Sequence, residues 1–450
     1  MTLHKPLRRP RLWPVGIRTA AAVTWMAYAL TATPRAASAQ LPSGAGMATT
    51  DSLTLRRALE IARAQGPGHQ VALARRDAAK GRARETAQFT NPTIEYRREN
   101  LGSVLSPDIF ATVYLPFDIT GRRLALRRAG GAAADRADAD GSAALRAAEL
   151  DVVASWLRAA TAQARLAAVQ TQAAALRELA RVDSARAREG AVSEGAAMRT
   201  LLEADRARAA AASLAGEVAR ARGALSRALG LERTALLPTG TIAVPALPAS
   251  PTSDSAVAMA ERSRPELAAR AAAVREAQAR LGAEQRGALG EWQLQGGSKK
   301  TAGVMTGQVG LAMPFPLFNR NDGARTRARA ELTEAIAWDG DARRGVRAEV
   351  TAALDAYNAL RATSRDALSF AQRGNDIAAI ARISYREGHA TLLELLDAER
   401  AAVDAAFAYV QWAHDMWMAR LELERALGMR LDADSPLDLP LGASASTSSR

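Results

Sequence analysis

From Leu53 the apolar positions recur every three or four residues, first in LTLRRALEIARAQ and again in the segment that ends RARETAQFTNP, with Gly66-Pro67 between them. Such spacing predicts two amphipathic helices, the first stopped at the Gly-Pro step and the second ending before Pro92. The pattern then alternates. Pro92–Asn100 (PTIEYRREN) and Ile109–Phe117 (IFATVYLPF) read as strands around the turn-rich LGSVLSP. From Gly121 the helical period returns, and residues 142–189 contain neither Gly nor Pro. At about 1.5 Å per residue that piece alone is roughly 70 Å long. Gly190 breaks it, and a return helix runs to the Ala-Leu-Gly at Ala228–Gly230.

A Pro/Thr/Ser-rich linker, 237–253, follows, and the order then starts again. A short helix ends near Arg264-Pro265 and a second runs to about Leu289. Strand candidates at Glu291–Gly296 and Gly307–Pro314 flank a polar turn, GGSKKTAG. After PFPLFNRNDG one long helix is expected to Glu387, then Gly388 and a return helix to Gly428. Pro67 and Pro265, Pro116-Phe117 and Pro314-Phe315, Arg188–Gly190 and Arg386–Gly388, and Ala228–Gly230 and Ala426–Gly428 all lie 198 residues apart. Four landmarks at one offset indicate an internal duplication, with repeats at 53–236 and 254–430. The tail 431–450, ending ASASTSSR, reads as disordered.

Residues 1–39 read as a secretory signal peptide: a basic leader, a short apolar segment around Thr19–Thr33, and Ala37-Ser38-Ala39 before Gln40. Residues 40–52 then form a flexible leader. Net charge is +13, from 60 Lys+Arg against 47 Asp+Glu, and removing the six basic residues before the cleavage point leaves +7. That excess is spread among acids without aromatic interleaving, which argues against nucleic-acid binding. The absence of cysteine excludes disulfides, thiolate metal sites and a lipid-modified N-terminal Cys. The four histidines are scattered, and no catalytic constellation, cofactor motif or metal-ligand spacing occurs. An enzyme is not expected.

Two strand hairpins supply four strands, too few to close a barrel, since useful closed barrels have about eight. The long helices carry mostly Ala with occasional Leu and Val at their interface positions, as at Ala143, Leu145, Val152, Trp156, Ala160 and Ala164. Small residues permit close approach but bury little area each, so such hairpins need neighbours along their length. Just after the second tip, Glu394 and Asp397 stand at i and i+3 on one helix face. They are either a solvated helix start that complements the dipole or the acidic lining of a constriction. Their first-copy counterparts, Ala196 and Arg199, are not acidic.

The order LTLRRALEIA, FTNPTIEYRREN, LPFDITGRRLALRRA, an REG tip and an ALG end, given twice over Leu53–Leu431, resembles the TolC-like outer-membrane factor family. The resemblance implies a mainly α fold with a small β part: duplicated helical hairpins forming an α-barrel, and four strands per protomer joining a 12-stranded transmembrane barrel in a homotrimer. It implies an outer-membrane location with a long periplasmic extension, and contact with outer-membrane lipid. The implied role is an exit duct for an inner-membrane pump of the resistance-nodulation-division class, joined through a periplasmic adaptor. Met313–Gly323 (MPFPLFNRNDG) is similar to the CzcC-type branch, which implies divalent metal cations as cargo. Alternatives are a duct for drug efflux or type I secretion, or a periplasmic coiled-coil scaffold or adaptor, although the lipoyl-like segments an adaptor needs are missing.

By the same resemblance, Glu394 and Asp397 would form acidic rings at the periplasmic gate and Tyr385 would help lock it. The sequence departs from the family at Ala390, where a locking basic residue is expected; Arg386 or His389 would have to substitute. Arg188, Glu189 and Gly190, with Arg386, Glu387 and Gly388, would form the tips where an adaptor docks. Trp156, Trp338, Trp412 and Trp417 read as packing residues, and His414-Asp415 as an exposed pair.

Overall fold

Thr54 accepts a hydrogen bond from the Arg57 backbone N–H at 3.2 Å and so starts the first helix, α1 (Leu55–Gln65). The computed structural model describes residues 52–101, 107–232, 237–238, 242, 244, 247–432 and 435. The expected signal peptide, and the leader apart from Ser52, lie outside the described residues. A short strand β1 (Ser52–Leu53) precedes α1 and pairs in parallel with β4 (Leu237–Pro238). Pro67 opens α2 (Pro67–Ala87) at its first position, where a missing N–H costs nothing.

The strands β2 (Thr93–Glu99), β3 (Asp108–Phe117), β5 (Trp292–Thr301) and β6 (Val304–Ala312) make one antiparallel sheet in the order β2-β3-β5-β6. The expected turn GGSKKTAG is for the most part strand. The reversal takes only Ala302 and Gly303, at φ 48° and 86°, so β5 and β6 pair directly across it, Thr301 with Val304. Two successive residues at positive φ match the twist of a hairpin, and this lets the strands run longer than the Gly-rich composition suggested. The register places Ile94, Val113, Gly296 and Val309 in one cross-strand row and Leu115, Leu294 and Leu311 in another. Most of these side chains are exposed. The opposite face is polar: Tyr114 Oη donates to Glu95 at 2.7 Å, and Gln308 Nε2 to Thr112 Oγ1 at 2.7 Å.

Below the sheet run α3 (Arg122–Arg188) and its return α4 (Glu194–Leu229). The second copy supplies α5 (Ser253–Ser263), α6 (Pro265–Arg286) with a short 3-10 turn at Gly287–Leu289, α7 (Asp322–Ala362), α8 (Ser364–Arg386) and α9 (Leu392–Leu427). Adding 198 to the bounds of α1 gives those of α5, and adding it to the bounds of α4 gives those of α9. At 67 residues, α3 is about 100 Å long. Its counterpart is not one helix but two, broken at Thr363, where Trp412 Nε1 donates to Leu360 O and Thr363 Oγ1, both at 3.3 Å. Close approach of Ala-rich helices is clearest at Gly374, where an added Cβ would stand 2.7 Å from that of Ala405.

Two core clusters are built on equivalent positions, Ala58, Ala62, Val152, Leu225 and Leu229 in one and Ala256, Ala260, Val350, Leu423 and Leu427 in the other, and a third joins α3 to α4 through Ala173, Leu176, Ala180, Ala204 and Ala207. The linker packs rather than hanging free, with Ile242 buried in the first cluster and Tyr357 Oη donating to Pro248 O at 2.9 Å. The start of the tail also differs from the expected disorder. Arg420, 1% exposed, reaches Glu424 on its own helix and Asp432 beyond it, and Ser435 Oγ donates to Glu424. Residues 433–434 and 436–450 lie outside the described residues. No helix among the described residues is long and apolar enough to cross a membrane.

Candidate functional site

Both reversals below the helices are built the same way. Gly190 and Gly388 have φ of 74° and 80°, and an added Cβ at either would meet nothing within 4 Å. Glycine is needed for the left-handed backbone, not for space. At the first tip Ala191 N–H bonds Arg186 O at 2.9 Å and Gly190 N–H bonds Ala187 O at 3.0 Å; at the second, His389 N–H bonds Ser384 O at 2.8 Å and Gly388 N–H bonds Tyr385 O at 3.1 Å. These are paired helix-ending bonds that close the last carbonyls. Ser193 and Thr391 then cap the returning helices. Arg188, Glu189, Gly190, Arg386, Glu387 and Gly388 are all exposed.

The two tips stand side by side, since Arg186 Nη2 donates to Arg386 O at 3.2 Å. Between them lies a contact the sequence reading missed. Tyr385 Oη donates to Asp183 Oδ2 at 3.0 Å, and Thr200 Oγ1 donates to the same oxygen at 2.8 Å. Asp183 is 0% exposed, and its Oδ1 is buried with no hydrogen-bond partner among the described residues. Burial, then the hydrogen bond to Asp183 and its negative charge, push the Tyr385 phenol up to about 12. It is therefore held as a donor. The signal for Asp183 was present: Val169, Ala173, Leu176 and Ala180 are buried at alternating steps of four and three, and Asp183 is the next position of that stripe. An acid in a helical core stripe asks for a donor.

Glu394 is placed differently from Asp397. Its carboxylate accepts from the Thr391 backbone N–H at 2.7 Å and from Thr391 Oγ1 at 3.0 Å, while Glu394 N–H bonds Thr391 Oγ1 at 3.3 Å. This reciprocal capping box uses Glu394 to start α9. The backbone and side-chain hydrogen bonds from Thr391 hold its carboxyl below the usual range. Asp397 is exposed one turn further on. Neither substitute for the missing base at Ala390 meets Asp183: Arg386 Nε donates to Arg382 O at 3.3 Å, and His389 is exposed. A second ionic brace ties the hairpin, with Arg382 Nη2 donating to Glu399 Oε2 at 2.8 Å and Glu399 2% exposed. Next to it a groove of about 340 Å³ is lined by Leu176, Leu179, Val182, Arg186, Arg382 and Leu395 among others.

Further up the helices, His414 is not in an exposed pair. Its Nδ1 lies 3.1 Å from Thr161 Oγ1 on α3, and burial lowers its pKa, while Asp415 is engaged by Gln411 at 2.8 Å. Adjacent helix positions point to different neighbours, which separates the two. No group of residues suited to holding a metal ion occurs among the described residues.

Residues 256–429 match the family model of the outer membrane efflux protein. The match covers nearly all of the second repeat, whose first and last helices, α5 and α9, the first repeat reproduces as α1 and α4 at the offset of 198. No curated protein sequence matches the chain. Among solved structures, a membrane protein from Pseudomonas aeruginosa is similar at a TM-score of 0.69 and 20% identity, over 83% of this chain and 92% of that one. The outer membrane protein VceC from Vibrio cholerae gives 0.68 and 19% over 83% and 96%. CusC, described as a transmembrane channel, gives 0.68 and 19% over 86% and 95%. The chain thus shares the fold of these membrane proteins along most of its length.

Proposed function

We propose that the chain is the outer-membrane exit duct of a tripartite efflux system. The observation that carries this reading is the sheet: four strands, one apolar exposed face, one polar hydrogen-bonded face, and β2 and β6 as open edges. Open edges are a liability unless other strands cover them. Three copies edge to edge would make twelve strands, with the apolar rows toward lipid and the polar face toward a lumen. The helical hairpins would line the tunnel on the periplasmic side, where a periplasmic adaptor would meet the exposed tips and the groove beside them.

At the far end, Tyr385, Asp183 and Thr200 hold the two tips of one protomer together. Asp397, with Glu394 as the residue that fixes its helix, would place carboxylates around the constriction, where crowded like charges attract cations. The similarity of Met313–Gly323 to the CzcC-type branch makes divalent metal cations the cargo to test first, and growth of a deletion strain on metal salts is the assay. The duct itself is tested by fractionation and mass. A detergent-extracted trimer from the outer membrane is expected, and a monomer in the soluble periplasmic fraction would contradict it.

A further inference from the structure

At the foot of the sheet the apolar face ends in an edge-to-face pair, Phe117 and Trp292, with ring centroids 6.1 Å apart. Immediately below, the chain becomes strongly cationic. Segments 82–90, 118–128, 284–291 and 319–329, which surround the strand-to-helix junctions, hold eleven arginines against five carboxylates. A cleft of about 140 Å³ opens there, lined by Phe89, Thr90, Arg122, Arg123 and Arg127 among others. Phe89 is 66% exposed, yet two guanidiniums lie over its ring, Arg123 at 5.5 Å and Arg127 at 5.9 Å from the centroid.

The cations divide by duty. Arg123 is committed, donating to Thr90 Oγ1 at 2.6 Å and pairing with Glu291. Arg122 faces Glu284 at 3.4 Å, but its Nε is buried with no hydrogen-bond partner among the described residues. Arg127 and Arg128 are exposed, and neither has a carboxylate partner among the described residues. Guanidiniums present paired donors that match phosphate oxygens. Exposed Ile119 and Leu124 and the Phe89 ring give acyl or glycerol carbons an apolar surface beside those donors.

We infer that this cleft binds the phosphate headgroup of an anionic phospholipid in the leaflet on the helical side of the membrane, with Arg127 as the phosphate-facing cation, Phe89 as the platform beneath, and exposed Arg128, next in the chain but outside the cleft lining, adding to the local positive field. The inference rests on the membrane-duct reading, which puts the foot of the sheet at the lipid–water boundary. An apolar band that gives way to aromatic residues and then to arginine is the order in which hydrocarbon gives way to headgroups. The excess of positive charge is what selects an anionic lipid over a zwitterionic one.

The test uses the full chain in detergent micelles, titrated with phosphatidylglycerol, phosphatidylcholine or inorganic phosphate and followed by native mass spectrometry. Wild type should bind phosphatidylglycerol more tightly than phosphatidylcholine, and millimolar inorganic phosphate should not displace it. Arg127→Gln with Arg128→Gln should weaken phosphatidylglycerol binding by roughly 25-fold and leave phosphatidylcholine unchanged. Equal wild-type affinities for the two lipids, unaltered affinity in the variant, or full displacement by inorganic phosphate would each overturn the proposal. The wild-type comparison decides even if the variant does not fold. Flotation with vesicles separates the two levels. A chain that stays out of membranes defeats the duct reading, whereas one that floats without headgroup preference defeats this inference alone.

Discussion

Replacing Tyr385 by phenylalanine removes one oxygen from the only described bond by which the second tip reaches Asp183. The ring remains to fill its buried site, so the change is a lost hydrogen bond to a charged, buried acceptor. Thr200 still donates to Asp183, but Oδ1 already lacks a partner among the described residues, and the carboxylate is left with less compensation. Such bonds contribute about 1.5–3 kcal/mol. Opening between the tips should therefore become about 10- to 150-fold more frequent. Hydrogen exchange of amides in Ala191–Thr200 and His389–Leu395 reads this directly, and the core helices should not change. A cycle with Asp183→Asn isolates the pair, and it should show coupling of at least about 1 kcal/mol. Alkaline pH offers an independent check. A phenol whose folded value is about 12 rather than 10 stabilises fully below pH 10 and loses that contribution as pH rises through 12. Wild-type tips should loosen over that window, and Tyr385→Phe tips should not. Unchanged exchange in the variant, or additive single effects, would refute the lock.

The capping box separates the two duties of the acids. Glu394→Gln keeps an acceptor for Thr391 but removes the charge, so it should raise exchange at Leu392–Leu395 only slightly and leave Ala191–Thr200 unchanged, and Glu394→Gln with Asp397→Asn should weaken block by multivalent cations in bilayer recordings; unchanged block would leave Glu394 as a cap alone. Because Thr391 holds the Glu394 carboxyl below its usual range, the cap's contribution is present above that range and is lost as pH falls through the lowered value; exchange at Leu392–Leu395 against pH reads it. Arg420→Met takes the guanidinium from between Glu424 and Asp432 and should cost about 3–5 kcal/mol. Thermal denaturation checks this, and a shift equal to that of a surface substitution would contradict the buried network.

Much of this architecture was legible because its signals are local. The helices α1 and α5 end just before Pro67 and Pro265, and one offset of 198 linked landmarks that also turn out to share core positions, as Val152 and Val350 do. What the sequence obscured depends on partners distant in the chain. The break at Thr363 has no Gly or Pro; it is braced by Trp412, some 49 residues away. The polar run Gly296–Thr301 looked like a loop because Gly and Lys are poor strand formers, but pairing with β3 and β6 outweighs propensity. Asp183 needed Tyr385 and Thr200 before it made sense, and all three fall at positions whose counterparts, Ala381, Ala187 and Ala398, carry no polar group. Glu394 was visible as an acid near a helix start, but its bond to Thr391 was required to show that it is a cap.

The most direct measurement is single-channel recording of the purified full chain in a planar bilayer. Three pooled sheets around a lumen predict discrete conductance steps that appear after insertion, with larger steps when Tyr385→Phe frees the tips. A trimer that inserts into the bilayer and passes no current in either form would contradict the account.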